Sequence, residues 1–215
     1  MNKIKISLLA VAMITLAIAC KKKIENVSDV VTASRPTITI TGQQFYSIPV
    51  GGTIPTVSAT AYDSVLMESY PTQLDASGLD NTQPGMYFVP IKATNKYGYI
   101  GTLNVVVAVT EIADSVNLAG TYKRTATGQD VIVEEVANGV YSVDNLFGAA
   151  TTPGSYAYFV QIDDSTMDMP TQPTPYGELS TSDRFLHVLP TDTSYGYKIS
   201  SNLTSNKALR VFVKQ

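Results

Sequence analysis

Cysteine, histidine and tryptophan are nearly missing from this 215-residue chain, which has one Cys, one His and no Trp. One Cys excludes an internal disulfide and a Cys-rich zinc site, and one His excludes a multi-His metal centre. Charge is scarce too, at 15% of residues, and a net of −3 lacks the clustered Lys and Arg on which nucleic-acid binding rests. What is plentiful is Thr, Ser, Val, Ile and Tyr. β-Branched and aromatic side chains pack well on a pleated surface, so this balance favours strands. The length corresponds to about one or two domains at ~150 residues each.

The chain opens with a targeting pattern. Lys3 and Lys5 precede Ile6 to Ala19, fourteen residues without a charge. That run suits the core of a signal peptide and falls short of the ~20 residues of a spanning helix. It ends Leu16-Ala17-Ile18-Ala19-Cys20, which resembles a bacterial lipobox, with Ala17 standing where the pattern usually has Leu. The resemblance implies cleavage before Cys20, lipidation of its thiol and a membrane anchor, with each buried methylene contributing ~0.8 kcal/mol. Lys21, Lys22 and Lys23 follow, either as a solvated spacer or as contacts to anionic headgroups. They are not the Asp that retains enterobacterial lipoproteins at the inner membrane, so the resemblance points to the outer membrane, with the leaflet open. From Ile24 onward 10 basic residues face 18 acidic ones, a net of −8. An acidic body makes nucleic acid an unsuitable partner.

Residues 20–35 have no sustained period and read as a lipidated, flexible tether. From Pro36, polar and apolar residues alternate. Strands are expected at Thr37–Thr41, Val57–Tyr62, Tyr87–Ala93 and Leu103–Val109, with Pro90 marking an edge strand. Gly51-Gly52, Pro71, Asp80-Asn81, Pro84-Gly85 and Asn95 to Gly98 supply turns. The stretch Leu79 to Tyr87, continued through Ala93 to Tyr99 and Val105-Val106-Val107, resembles the D-T-x-x-P-G-x-Y … A-x-N/D-x-x-G … V-x-V pattern of bacterial Ig-like modules. It implies an Ig-like β-sandwich over residues 36–110, a module that usually serves as a spacer.

Residues 111–117 read as a linker and 118–215 as a second β-domain. Its strands are expected at Thr121–Thr125, Asp130–Ala137, Val140–Asp144, Tyr156–Ile162, Phe185–Leu189, Tyr195–Ser200 and Ala208–Val213. Asn138-Gly139 is a strong hairpin signal, because both central positions of that turn need positive φ. No segment has a convincing helical period of helix length, so the chain after the signal is expected to be all-β. The second domain reads as an antiparallel sandwich or barrel. Gly120-Thr121-Tyr122 resembles the G-x-W opening of lipocalins, which would imply a barrel with a cavity. Leu118 to Thr125, Asn138 to Gly148 and Leu209 to Lys214 resemble C-terminal domains of Bacteroidetes-type lipoproteins of unknown function. That two-part layout implies glycan binding beside outer-membrane polysaccharide-uptake systems.

Catalytic patterns are sparse. No G-x-S-x-G is present, and His187 lies in the strand-like Phe185 to Leu189. Asp163 to Asp168 lacks the Gly and terminal Glu of an EF-hand and reads as an acidic turn. Asp163-Asp164 and Glu134-Glu135 are sequence neighbours, which on a strand point to opposite faces rather than at each other. No enzyme, metal or cofactor is expected. Binding residues are sought among tyrosines, whose rings stack on sugars while the hydroxyl hydrogen-bonds. Tyr156 and Tyr158 share one strand face and Tyr195 and Tyr197 another, with core packing as the competing role for all four. Tyr176, on a Pro-rich loop expected from Thr166 to Asp183, is the ring expected to be most exposed. The expected partners are the membrane, through Cys20, and a polysaccharide or uptake complex. The alternative is a structural or adhesive protein-binding role.

Overall fold

The computed structural model describes residues 33–112, 117–189, 192–201 and 208–215. The expected signal peptide at residues 1–19, Cys20, most of the tether and residues 113–116 of the expected linker lie outside them. Ser34–Gln215 forms one compact unit. The all-β expectation holds: sixteen strands and a single 3-10 turn at Ala76–Gly78 make up the regular structure of the described residues.

The first seven strands form two sheets. Strands β1 (Thr37–Ile40), β3 (Ala59–Asp63) and β4 (Glu68–Tyr70) make one, in the order β1-β3-β4. Strands β2 (Phe45–Pro49), β5 (Gln73–Leu74), β6 (Gly85–Thr94) and β7 (Ile100–Thr110) make the other, in the order β2-β7-β6-β5. They face each other across Ile38, Ile48, Ala61, Val89, Ile91, Val105, Val107 and Val109, the inward halves of alternating strands. Pro90 accepts from the Asp75 amide through its carbonyl, so its missing N–H faces the side that only the two-residue β5 partly covers. Its strand is therefore an edge in all but those two residues.

Strand β7 departs from simple alternation. Every residue from Val105 to Thr110 is buried. Val105, Val107 and Val109 fill the sandwich, whereas Val106 and Ala108 point outward into a second apolar layer. A continuous apolar run signals a strand covered on both faces.

The covering body is a nine-stranded antiparallel sheet. It comprises β8 (Gly120–Arg124), β9 (Asp130–Ala137), β10 (Val140–Val143), β11 (Ala157–Gln161), β12 (Met167–Asp168), β13 (Gln172–Thr174), β14 (Gly177–Val188), β15 (Thr193–Ser201) and β16 (Arg210–Lys214), with β8 beside β16. Asn138-Gly139 makes the β9–β10 turn, but of its two central positions only Gly139, at φ 70°, has positive φ, and a register shift follows at Val140/Tyr141. The sheet curls until its ends meet. Leu186 N donates to Ser165 O at 3.2 Å, and Thr181 Oγ1 donates to Met169 O at 2.7 Å. Gln172 completes the closure: its Oε1 accepts from Tyr158 N and its Nε2 donates to Tyr158 O, both at 2.8 Å. A buried side-chain amide here takes the place of a strand on the edge of β11.

The interior of this barrel is filled with rings. Tyr195 is its hub, with centroids 5.0 Å from Tyr122, 4.9 Å from Phe212, 5.5 Å from Phe159 and 6.1 Å from Tyr197. Among the described residues an interior packed this way holds no lipocalin-type cavity, against what that resemblance implies. The long loop expected from Thr166 to Asp183 is also corrected: it contains β12, β13 and the first half of β14. Leu179 is its lone inward apolar residue on the new strand, so the alternation was too short to read.

Candidate functional site

The outer face of the four-stranded sheet is laid out in rows. Register places Phe45, Val106 and Phe88 side by side, with Ser47, Ala108 and Met86 in the next row. Met86, Val106 and Ala108 pack against Val140, Val160 and Ile162 on the outer wall of the barrel. Polar contacts edge this seam. Thr110 Oγ1 donates to Gln161 O at 2.6 Å, and Asp168 Oδ2 accepts from Met86 N at 3.2 Å. Ile112 lies against Gly139, where a Cβ would meet it at 2.5 Å.

Along β7 beyond Val106, toward Thr102, the sheet runs out from under the barrel and a cleft of about 350 Å³ opens. Phe45, Phe88, Leu103 and Val106 line it from the sheet, and Tyr158 with Pro173 from the barrel. Phe45 and Tyr158 meet with centroids 4.9 Å apart and planes tilted by 46°. Gln44, Thr102 and Asn104 add amides and a hydroxyl, and no lining residue carries a charge. Gln44 Nε2 donates to Asn104 O at 3.4 Å, while Gln172 is engaged by the Tyr158 backbone and by Pro170 O. Apolar walls with a few free polar groups, at a junction between two bodies, are the usual form of a ligand site.

The five candidate tyrosines do not converge. Tyr158 is half-buried in the cleft, and Tyr156, just before β11, is 56% exposed. Tyr195 and Tyr197 are wholly buried in the barrel and are corrected from binding to core residues. Their strand face is the inner one, where alternation alone could not separate interior from surface. Burial pushes both phenols well above their ordinary pKa. Tyr197 Oη donates to Leu146 O at 2.8 Å, whereas Tyr195 Oη is buried without a partner among the described residues.

Tyr176 is corrected as well. Its ring sits edge-on to Phe147 at 5.9 Å and its hydroxyl donates to Pro153 O, so it is half-buried rather than the most exposed ring. Phe147 in turn lies beneath Arg210, whose guanidinium is 5.8 Å from the ring. Arg124 Nη1 donates to Phe147 O at 2.8 Å. Burial, and then the charge of Arg124, lowers the pKa of Arg210. Tyr176 is thus part of the cap on one end of the barrel.

The acidic turn is self-contained. Asp163 Oδ1 accepts from the amides of Ser165 and Thr166, both at 2.7 Å. These bonds and the Ser165 hydroxyl hold the carboxyl below its ordinary pKa against the opposing effect of burial. His187 is exposed on β14 opposite Ser194. Among the described residues no group of three or more His, Cys, Asp or Glu is placed to hold a metal. No helix among them is long and apolar enough to cross a membrane.

Residue types in the sequence did not reveal the cleft residues Phe45, Phe88 and Asn104. The signal for them was the unbroken apolar run of β7, which requires a covering body. No family model and no curated protein matches the chain. Among solved structures it is similar to a crystal structure of a lipoprotein from Bacteroides thetaiotaomicron. The identity is 18%, the coverage 84% of this chain and 100% of the other, and the TM-score 0.37.

Proposed function

We propose that this chain is a non-catalytic, lipid-anchored outer-membrane protein that holds a glycan in the cleft between sheet and barrel, as an accessory to glycan uptake. The cleft carries the reading. Phe45, Phe88 and Tyr158 offer apolar ring faces, and Gln44, Thr102 and Asn104 offer uncharged donors and acceptors beside them. That combination suits a neutral sugar, which has apolar ring faces and a hydroxyl rim. The anchor rests on the lipobox-like Leu16 to Cys20.

Affinity electrophoresis of the purified chain through gels containing a polysaccharide panel tests the binding. Retardation by at least one polysaccharide is expected, weakened by Phe88→Ala and by Tyr158→Ala. Unretarded migration across the whole panel overturns it. Cys20→Ala is expected to release the chain from the membrane fraction, and retention of that variant overturns the anchor. A structural or adhesive protein-binding role is the second reading. It is favoured by β2, which strand order puts at the sheet edge beside the cleft and so offers its backbone to a partner strand.

A further inference from the structure

Asp63 is fully buried at the end of β3 and gathers three separate segments. Its Oδ2 accepts from Ser34 Oγ at 2.7 Å and from Asn95 Nδ2 at 3.0 Å. Its Oδ1 accepts from the amides of Val65 and Leu66, both at 3.1 Å, which fixes the β3–β4 turn. Asn95 Oδ1 accepts from the amides of Tyr97 and Tyr99, both at 3.0 Å, which fixes the β6–β7 turn. Asn95 Nδ2 also donates to Ser34 O at 2.9 Å. One polar cluster therefore ties two hairpin tips to the point where the N-terminal segment joins the body.

Both tips present apolar side chains. Met67 is 77% exposed, Val65 54%, Ile100 49%, Tyr97 47% and Tyr62 45%; these are five of the ten large hydrophobics exposed among the described residues. Met67 sits at φ 54°, a left-handed conformation that a long apolar side chain seldom adopts without a constraint. The Asp63 bonds supply that constraint, so the turn is rigidly built to display it. Arg35 is exposed and lines the same surface as Ile100, and the Pro36 carbonyl lies against Gly101. Lys96 pairs with Glu68 at 2.7 Å, while Asp63 keeps its charge, bonded by the neutral donors Ser34, Asn95 and two amides. Arg35 offsets the charge of Asp63, so this end is neutral on a body that is otherwise acidic.

We infer that these two hairpin tips are a membrane-docking face, with Val65, Met67, Tyr97 and Ile100 entering the headgroup layer and Arg35 meeting anionic lipid. The inference rests on the lipid anchor at Cys20 proposed above. Thirteen residues separate Cys20 from Ser34, and the fourteen steps span at most about 50 Å when extended, so the tether permits contact without enforcing it. The exposed apolar tips make contact favourable, and tyrosine is a residue suited to the interfacial layer. Docking would fix the body upright and hold the glycan cleft at a set height.

The absence of Trp makes the test direct. The lipidated full-length protein is prepared as Met67→Trp, as Ile100→Trp and as Ile132→Trp, the last on the barrel wall, and reconstituted on phosphatidylethanolamine–phosphatidylglycerol vesicles. Blue-shifted emission quenched by brominated lipid is expected for Met67→Trp and Ile100→Trp, with Ile132→Trp reporting water. Ile100→Trp serves if Met67→Trp misfolds. Retention on vesicles with all three reporting water overturns the docking face alone. Release of the wild-type protein from vesicles overturns the anchor and the docking face together. A tip signal that follows protein density and ignores brominated lipid assigns the face to a second copy and also overturns the proposal.

Discussion

The ring of Phe45, on the edge strand of the sandwich, lies 4.9 Å from the ring of Tyr158 on the barrel wall. One aromatic contact thus joins the two bodies and forms the back of the cleft. Such pairs contribute about 0.5–1.5 kcal/mol beyond area burial. A double-mutant cycle of Phe45→Leu and Tyr158→Leu, read by denaturant midpoint, is expected to return a coupling in that range. Additive effects would show that the rings meet without stabilising each other.

The seam below that contact predicts shared unfolding. Met86, Val106, Ala108, Val140, Val160 and Ile162 form an apolar layer of their own between sandwich and barrel. Calorimetry of the wild-type chain is expected to give one transition. Val106→Asp places a charge in that layer, and burying an unpaired charge is strongly unfavourable. Two separated transitions are expected for that variant, with the barrel melting close to its original temperature. Two transitions in the wild type would mean that the seam does not couple the bodies.

Inside the barrel, two neighbouring tyrosines are expected to respond oppositely to loss of the hydroxyl. Tyr197 Oη bonds Leu146 O, whereas Tyr195 Oη is buried without a partner among the described residues. A typical hydrogen bond contributes about 0.5–1.5 kcal/mol net, so Tyr197→Phe is expected to cost about that much. Removing a buried hydroxyl that bonds nothing removes a desolvation penalty, so Tyr195→Phe is expected to be neutral or stabilising by up to about 1 kcal/mol. Equal destabilisation by both would indicate a partner for Tyr195 Oη, such as a buried water.

These cases show which features a sequence can carry. The long strands β6, β9 and β15 were legible because apolar and polar residues alternate along them, and β7 because of its apolar run. Strands β5, β12 and β13 hold two or three residues each, too few to establish a period. The Asn138-Gly139 turn was legible in place because Gly139 takes the left-handed position, although Asn138 does not. The cleft was not, because it exists only where two bodies diverge, and Phe45 and Tyr158 lie 113 positions apart. The tyrosines were legible as a group but not by destination: alternation gives two faces and does not say which one closes into a barrel. Of the two roles open to Tyr195 and Tyr197, binding or core packing, the structure gives them the core.

The Asp63 cluster predicts a local acid response. Burial raises the pKa of this carboxyl, but the bonds from Asn95, Ser34, Leu66 and Val65 together outweigh it, and the net direction is downward. A depressed folded pKa means that the cluster contributes stability above the unfolded value of about 3.9 and loses it as pH falls through the folded value. Global acid unfolding is a poor probe, since Glu68, Asp75, Asp80 and Asp163 are also lowered by their own donors and lose stability in the same direction. Amide exchange isolates the effect. The N–H groups of Val65 and Leu66 donate to Asp63 itself, so their protection is expected to fall on acidification before that of the Val105 to Val109 amides in the core. In Asp63→Asn one acceptor oxygen and the charge are lost, so these two amides are expected to exchange faster at neutral pH and to show little further pH dependence beyond intrinsic exchange. An acid response at Val65 and Leu66 that persists unchanged in Asp63→Asn would assign it to another carboxylate and remove Asp63 as the clamp on the two hairpin tips.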